Sequence, residues 1–480
     1  MPEGEFRLNT TLVQRIVADT VTPVGVYLSV RDAFPESILF ETRPYNDADA
    51  FVSYIACRPI VSFRVSEREV FKQIGERRTT QTLEQTNLRK DSRLILNDFF
   101  SCFHLKQNEI PGALLNGFFG YLSYDATPLF EDVTLGESLS NDPLQIPNCY
   151  YRLYRYLFVL NHRTNELSLF INSFVGEEIN HEELQRVEKL AAKQFRPPAP
   201  VQFRGDRTAS VSDEQFSHIV EQALKHIARG DVFQIVLSRS YAQPFLGDEF
   251  SIFRALRLLN PSPYQFYFDY GDFKLFGASP EAQIIVTNRR ASLFPIAGTA
   301  PRTGNDEHDQ KIREVLRNDP KESAEHVMLV DLARNDLSRN CSRVEVKEFK
   351  RVTPLPYVFH LESKVSGELN GTRTTVDALL DSFPAGTLTG APKIRAMELI
   401  DQYEQRSRGY YGGCLGVFTL TGDCNHAILI RSFLSQANTL RYQAGAGIVA
   451  DSQPERELAE IQAKLSPLTD ALRKAEGLPI

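Results

Sequence analysis

Residues 196–201 read RPPAPV and form the clearest linker in the sequence. Proline fixes φ and has no backbone N–H, so this stretch cannot continue a helix or an inner strand. A chain of 480 residues is long enough for two domains. The break divides it into an N-terminal region, 1–195, and a C-terminal region, 202–475.

The first region is rich in strand patterns. Residues 24–30 (VGVYLSV), 37–42 (SILFET), 55–65 and 151–160 (YRLYRYLFVL) are β-type runs separated by turn residues. Residues 116–125 (NGFFGYLSYD) set two glycines among four aromatics, as in a strand against close backbone. Residues 182–194 fit a charged amphipathic helix.

In the second region, residues 212–229 predict a helix with Asp213 and Glu214 at its start and Gly230 past its end. A strand at 231–239, a short helix at 253–259 and a hairpin about Gly271 and Asp272 follow. Ser279-Pro280-Glu281 interrupts a strand that resumes at 283–287. Residues 293–299 end a strand in a small-residue turn, and polar residues 305–309 read as a mobile loop. Residues 320–335 have helical periodicity, with Val327, Leu329, Val330 and Leu332 inward. Residues 358–365 predict a strand carrying His360 and Glu362. Residues 384–393 (PAGTLTGAPK) form a turn into a helix, and 409–420 and 427–433 predict strands, the latter holding Arg431. The fold class is α+β, with large, mostly antiparallel sheets and helices packed outside them.

Composition narrows the function. A net charge of -7 offers no basic excess to neutralise phosphates, which argues against a general nucleic-acid binder. Six scattered cysteines with no C-x-x-C read as reduced thiols in a cytoplasmic protein. The N-terminus lacks a signal-peptide pattern, and no apolar run is long enough to span a bilayer.

The chemistry gathers near the C-terminus. Residues 441–464 (RYQAGAGIVADSQPERELAEIQAK) hold a run of small residues, a helix start at Asp451-Ser452 with Pro454 in the first turn, then Glu457, Glu460 and Lys464 on one helical side. A second pair, Glu322 and Glu325, has the same spacing on another helix. Four such glutamates suit a hard divalent ion such as Mg2+, which takes oxygen ligands. On spacing alone, solvated helix faces are the commoner case. The neighbouring features shift the balance: glycine runs that let amides approach a ligand, a lone arginine in an apolar run, and a strand histidine. His360 suits proton removal near neutral pH, although a strand histidine is more often a hydrogen-bonded core residue. Glu281, at the strand break, needs a raised pKa to act as a general acid; otherwise it is a turn carboxylate. Arg431 calls for a carboxylate, structural or from a ligand. P-loop, dinucleotide, zinc and nucleophile-elbow patterns are missing. The residues therefore point to a Mg2+-assisted enzyme acting on a small anionic substrate.

The blocks FPIAGTAPR, EHVMLVDLARNDL, FPAGTLTGAPKIRAMELI, RGYYGG and AGAGIVADSQPE resemble, in order, those of the chorismate-utilising enzymes. The resemblance is dense over about residues 210–470 and weaker before. It implies that Glu325 and Glu460 ligate Mg2+ directly, with Glu322 and Glu457 behind them. It makes Glu281 the acid for the departing C4 hydroxyl and His360 a participant in removing the C2 proton. Tyr411, Arg431 and the backbone at Gly445 and Gly447 would hold the enolpyruvyl carboxylate, and Lys464 a carboxylate or the glutamate network. Gly298, Thr299, Thr387 and Thr389 would line the substrate side.

Two positions select among the family's reactions. Water-adding members carry lysine where this chain has Gln234. Members that aminate C4 usually carry a lysine nucleophile where it has Ala297. The pair implies attack by free ammonia at C2; a C4-aminating enzyme and a non-catalytic tryptophan-sensing subunit are the alternatives. No glutamine-amidotransferase block is present, so a separate amidotransferase subunit in a hetero-oligomer is implied. The N-terminal region resembles the family's tryptophan feedback site. Glu41 and Thr42 stand on one wall, where relatives usually have L-L-E-S. Asn260, Pro261 and Tyr264 stand on the other, and Gln265 replaces a common methionine.

Overall fold

The computed structural model describes residues 4–43, 51–84, 88–111, 114–136, 144, 146–191, 195, 197–354 and 358–476. Helices and strands mix, as the α+β expectation requires, and nearly all strand pairs are antiparallel. The pairing of Phe6–Val17 with Phe103–Asn108 is parallel.

The sheet fans into two limbs from one long strand, Cys149–Asn161. That segment alternates aromatic and aliphatic residues on both faces, and both faces are buried. One side pairs along its length with Val52–Ser66. The other side is shared: residues 149–153 pair with Gly117–Leu122 and residues 156–161 with Glu166–Phe174. The first limb continues from Val52–Ser66 through Ile38–Thr42, Tyr264–Asp269, Phe273–Ser279, Ser432–Gln436 and Thr439–Ile448 to Gln234–Leu246. The second runs from Gly117–Leu122 through Cys414–Thr419, Cys424–Ile428, Ala282–Thr287 and Arg290–Leu293 to Val358–Leu369. Val358–Leu369 also pairs with Ile296–Pro301 and Cys341–Pro354.

Both limbs contain strands from either side of the proline-rich break. Ile38–Thr42 pairs with Tyr264–Asp269, and Gly117–Leu122 with Cys414–Thr419. The prolines thus end an element without separating the sheets, because backbone pairing joins segments far apart in sequence.

Several local expectations change. Residues 24–30 lie in a helix, Pro23–Arg31, rather than a strand. Thr22 caps it by accepting from Gly25 N–H, and its buried face packs in the core, overriding the β-type composition. Residues 305–309 are not a loop. Asn305 caps the helix Asp306–Asn318 through the N–H groups of Glu307 and His308. Val327 is 42% exposed rather than inward, while Leu329 and Val330 are buried. Arg431 lies between two strands, and residues 444–447 lie within a strand. The helix at 212–229 is as expected, with a Ser212–Gln215 capping box and Gly230 closing it at φ 83°. No disulfide joins the six cysteines. Among the described residues, no helix is long and apolar enough to cross a membrane.

Candidate active site

Two side chains mark where the chain passes between the limbs. Glu281 separates Phe273–Ser279 from Ala282–Thr287, and Arg431 separates Cys424–Ile428 from Ser432–Gln436. The crossings are pinned by backbone bonds: Ile428 N–H donates to Glu281 O at 2.9 Å and Ala278 N–H to Arg431 O at 3.1 Å. The strand break read from Ser-Pro-Glu is thus a change of limb. Arg431 takes it at φ 52°, in the left-handed region that non-glycine residues seldom occupy.

The Glu281 carboxylate accepts a hydrogen bond from Thr387 Oγ1 at 2.9 Å. Burial raises its pKa to about 7, opposed by the Thr387 bond and by the charges of Lys464 and Arg431. A carboxyl titrating there can hold a proton at neutral pH and give it up. A cavity of about 50 Å³ adjoins it, with Thr387, Leu329 and Asp336 in its wall.

Arg431 is half-buried, and desolvation of its guanidinium lowers its pKa. Tyr411, Glu281 and Glu460 act in the opposite sense. Tyr411 accepts a bond from the backbone of Gly445, and burial pushes its phenol up to about 12. Strand Thr439–Ile448 needs its glycines for close approach. A Cβ at Gly445 would meet Tyr411 Oη at 3.0 Å, and one at Gly447 would meet Gln234 Nε2 at 2.7 Å. Lys464 Nζ donates to Gly445 O at 2.8 Å and pairs with Glu460 at 2.6 Å. Gln234 Oε1 is buried and accepts no hydrogen bond among the described residues.

The second limb supplies His360, whose Nδ1 lies 3.3 Å from Gly298 O. Desolvation lowers the His360 pKa, as does the charge of Arg431, so the ring favours its neutral form. Gly298 has φ 64°, and a Cβ there would meet Glu322 Oε2 at 2.8 Å and Leu316 Cδ1 at 3.0 Å. The helix Pro320–Ser338 therefore presents Glu322 to Gly298, in the strand that pairs with that of His360. Ala297 is the preceding residue, opposite Leu361 in the ladder, and Thr299 is the register partner of His360. Thr389 is fully buried, with its hydroxyl donated to Ala385 O, so it shapes the turn that carries Thr387.

The glutamate pairs approach from different supports. Pro320–Ser338 packs on the strands of the second limb, and Pro454–Glu476 on Thr439–Ile448 and two outer helices. Among the described residues, no group of three or more His, Cys, Asp or Glu is gathered closely enough to hold a metal ion. The donor chemistry of Glu322, Glu325, Glu457 and Glu460 nevertheless fits Mg2+, which commonly takes one or two protein carboxylates and completes its shell with water and substrate oxygens.

Arg408 and Glu362 carry more than their sequence positions suggested. Arg408 is 2% exposed and donates to Leu388 O and Val236 O, both at 2.7 Å. It also holds Glu404 through Nε at 2.9 Å and Nη2 at 2.6 Å. One guanidinium thus ties the Thr387 turn to the strand of Gln234. It opens the RGYYGG block, which was the available signal. Glu362, two residues beyond His360, is 5% exposed and raised to about 7 by burial.

Glu41 sits in a separate, fully buried position between Ser53 and Gln265 in the ladder. It accepts from Arg257 at 2.5 and 2.9 Å and from Ser53 Oγ at 2.7 Å, and Ser53 Oγ is 2.7 Å from His162 Nε2. Thr42 pairs with Tyr264, whose hydroxyl donates to Asn425 at 2.8 Å. Gln265 Oε1 is buried and accepts no hydrogen bond among the described residues. Asn260 Nδ2 lies 3.4 Å from Ala278 O, the residue whose N–H bonds Arg431, and Pro261 follows at the start of this wall.

The fold that positions these side chains is shared with solved structures of other proteins. The chain belongs to the family of chorismate binding enzymes, whose model matches residues 44–470. It is similar to anthranilate synthase component 1 of Bacillus caldotenax, 35% identical over 99% of this chain and 96% of that one. It is likewise similar to anthranilate synthase component 1 of Thermus thermophilus, 36% identical over 96% and 97%. The crystal structure of anthranilate synthase component I from Streptococcus pneumoniae superposes with a TM-score of 0.74 at 28% identity, covering 95% of this chain and 100% of that one. The menaquinone-specific isochorismate synthase of Escherichia coli shares the fold alone, with a TM-score of 0.71 at 20% identity over 98% and 96%.

Proposed function

We propose that this chain is the large subunit of an anthranilate synthase, converting chorismate and ammonia into anthranilate, pyruvate and water. The observation that carries the reading is the Glu281–Arg431 crossing, where a protonatable carboxyl and a desolvated cation act on one another and the same cation acts on a histidine that favours its neutral form.

Ammonia attacks C2 of chorismate, the ring double bonds shift and the C4 hydroxyl leaves as water with the Glu281 proton. His360 then takes the C2 proton as the C3–oxygen bond breaks, the enolpyruvyl group leaves as pyruvate and the ring aromatises. Arg431 and Tyr411 hold the enolpyruvyl carboxylate with the Gly445 and Gly447 backbone, and Lys464 neutralises Glu460 beside it. Glu325 and Glu460 would hold Mg2+, with Glu322 and Glu457 supporting, and the ion would offset the charge of the ring carboxylate. Gln234 and Ala297 place no amine where related enzymes use lysine, so the nucleophile comes from outside the chain. A glutamine amidotransferase subunit supplies it. The name component 1 of the relatives supports a partner. Tryptophan acts as a feedback inhibitor at Glu41, Thr42, Asn260, Pro261 and Tyr264.

The test is product identity. The isolated chain with chorismate, Mg2+ and ammonium should release anthranilate and pyruvate in equal amounts. A product aminated at C4, or isochorismate, contradicts the assignment.

A further inference from the structure

A groove of about 460 Å³ lies between a helix and the strand that pairs with that of His360. One wall is the face of the helix Asp306–Asn318 that carries Arg313 and Arg317. The other is strand Cys341–Pro354 at Phe349, Lys350 and Arg351. Its charge opposes that of the chain, which is -7 overall. The four cations Arg313, Arg317, Lys350 and Arg351 face two carboxylates, Glu314 and Glu348, and Glu348 is already paired with Arg351 at 3.0 Å.

Two further features single this groove out. Phe349 is 52% exposed, with Lys350 Nζ 5.4 Å from its ring, so an apolar ring stands in a cationic setting. Arg313 stacks over Phe359, the neighbour of His360, at 4.8 Å, and its buried Nε–H has no hydrogen-bond partner among the described residues. The groove strand is in register with the strand of His360: Thr353 opposes His360 and Val352 opposes Leu361.

We propose that this groove docks the second protein component, through an acidic surface that covers Phe349 and meets Arg317 and Lys350. The inference rests on the proposed function, which requires ammonia from a separate glutamine-hydrolysing chain. A buried aromatic centre ringed by complementary charge is the arrangement that gives a protein interface its affinity and register. Docking here also seats the donor of ammonia beside the strand that bears His360. The exposure of Phe349 favours a protein partner over a small anion, which would gain nothing from an apolar ring.

The test uses the full chain reconstituted with its glutamine-hydrolysing component. Variants are Arg317→Glu with Lys350→Glu, and separately Phe349→Ala. Both should weaken co-elution in size-exclusion chromatography and lower glutamine-dependent anthranilate formation by about tenfold or more. Ammonium-dependent formation should stay within about twofold of the parent, because these side chains lie outside the acid–base site. Added salt should weaken the parent complex. Unchanged co-elution and glutamine use in both variants would overturn the proposal, as would a parallel loss of ammonium-dependent activity. Retained glutamine use, with loss of a response to citrate or inorganic phosphate, would overturn it in favour of a small-anion site. Failure of the proposed function shows separately, as no product from the parent chain with ammonium. Co-elution still reports on docking in that case.

Discussion

Glu281 and Arg431 occupy the two points where the chain crosses between the limbs of the sheet, each tied to the opposite crossing by a backbone hydrogen bond. Their side chains act on one another. The Arg431 charge holds the Glu281 pKa below where burial alone would put it, and Glu281 eases the burial of Arg431. Arg431→Gln should therefore raise the Glu281 pKa above 7 and remove a partner for a substrate carboxylate. A charged hydrogen bond is worth about 1.5–3 kcal/mol, so KM for chorismate should rise by roughly 10- to 100-fold. Steady-state kinetics measure it, and an unchanged KM rules out Arg431 as the carboxylate partner.

The pH dependence has a definite sign on each side. Glu281 must be protonated to act as an acid, so activity should fall as pH rises through about 7. His360 must be neutral to accept a proton, and burial lowers its pKa, so the acid limb should lie below the ordinary histidine value. Thr387→Val removes a bond that favours the Glu281 carboxylate, which should move the alkaline limb upward. A pH–kcat/KM profile of the two proteins shows whether it moves. A downward shift contradicts the role given to Glu281.

The site was legible wherever chemistry and local pattern coincide. Glu281 follows Ser-Pro, the glycines of 444–447 are small for a reason, and Lys464 repeats on the helical side of Glu460. Arg431 was visible as a charge in an apolar run, but its position between strands was not, because the limb change depends on pairing with residues 273–279. The helix Pro23–Arg31 was misread for a related cause: its valines and tyrosine are β-formers, and the core contacts that keep it helical come from other elements, Phe250 and Tyr267 against Tyr27 among them. The RPPAPV stretch reads as a domain boundary, yet strands from either side of it pair.

Arg408 offers a test of how the substrate-side turn is held. Arg408→Ala leaves Glu404 buried without its cation and frees the carbonyls of Leu388 and Val236. Loss of one partner of a buried pair costs about 3–5 kcal/mol, so thermal unfolding should move down by several degrees. Arg408→Lys keeps the charge but not the fork. It should restore much of the stability while leaving kcat reduced, because the Thr387 turn is no longer fixed from two sides.

Glu41 is fully buried and already satisfied by Arg257 and Ser53. If it receives the ammonium of tryptophan, the ligand must share or displace the Arg257 contact. Glu41→Gln keeps the shape and removes the charge, so the tryptophan concentration for half inhibition should rise by about tenfold or more. Ammonium-dependent activity without tryptophan should persist. Inhibition curves that superpose with the parent would remove Glu41 from the regulatory site.

The central claim is that free ammonia enters at C2 with no lysine intermediary, and isotope labelling tests it most directly. The isolated chain is incubated with chorismate, Mg2+ and 15N-ammonium in the absence of glutamine, and the products are analysed by mass spectrometry. Singly 15N-labelled anthranilate with equimolar pyruvate is expected. Unlabelled anthranilate, a 4-aminated product or isochorismate would contradict it.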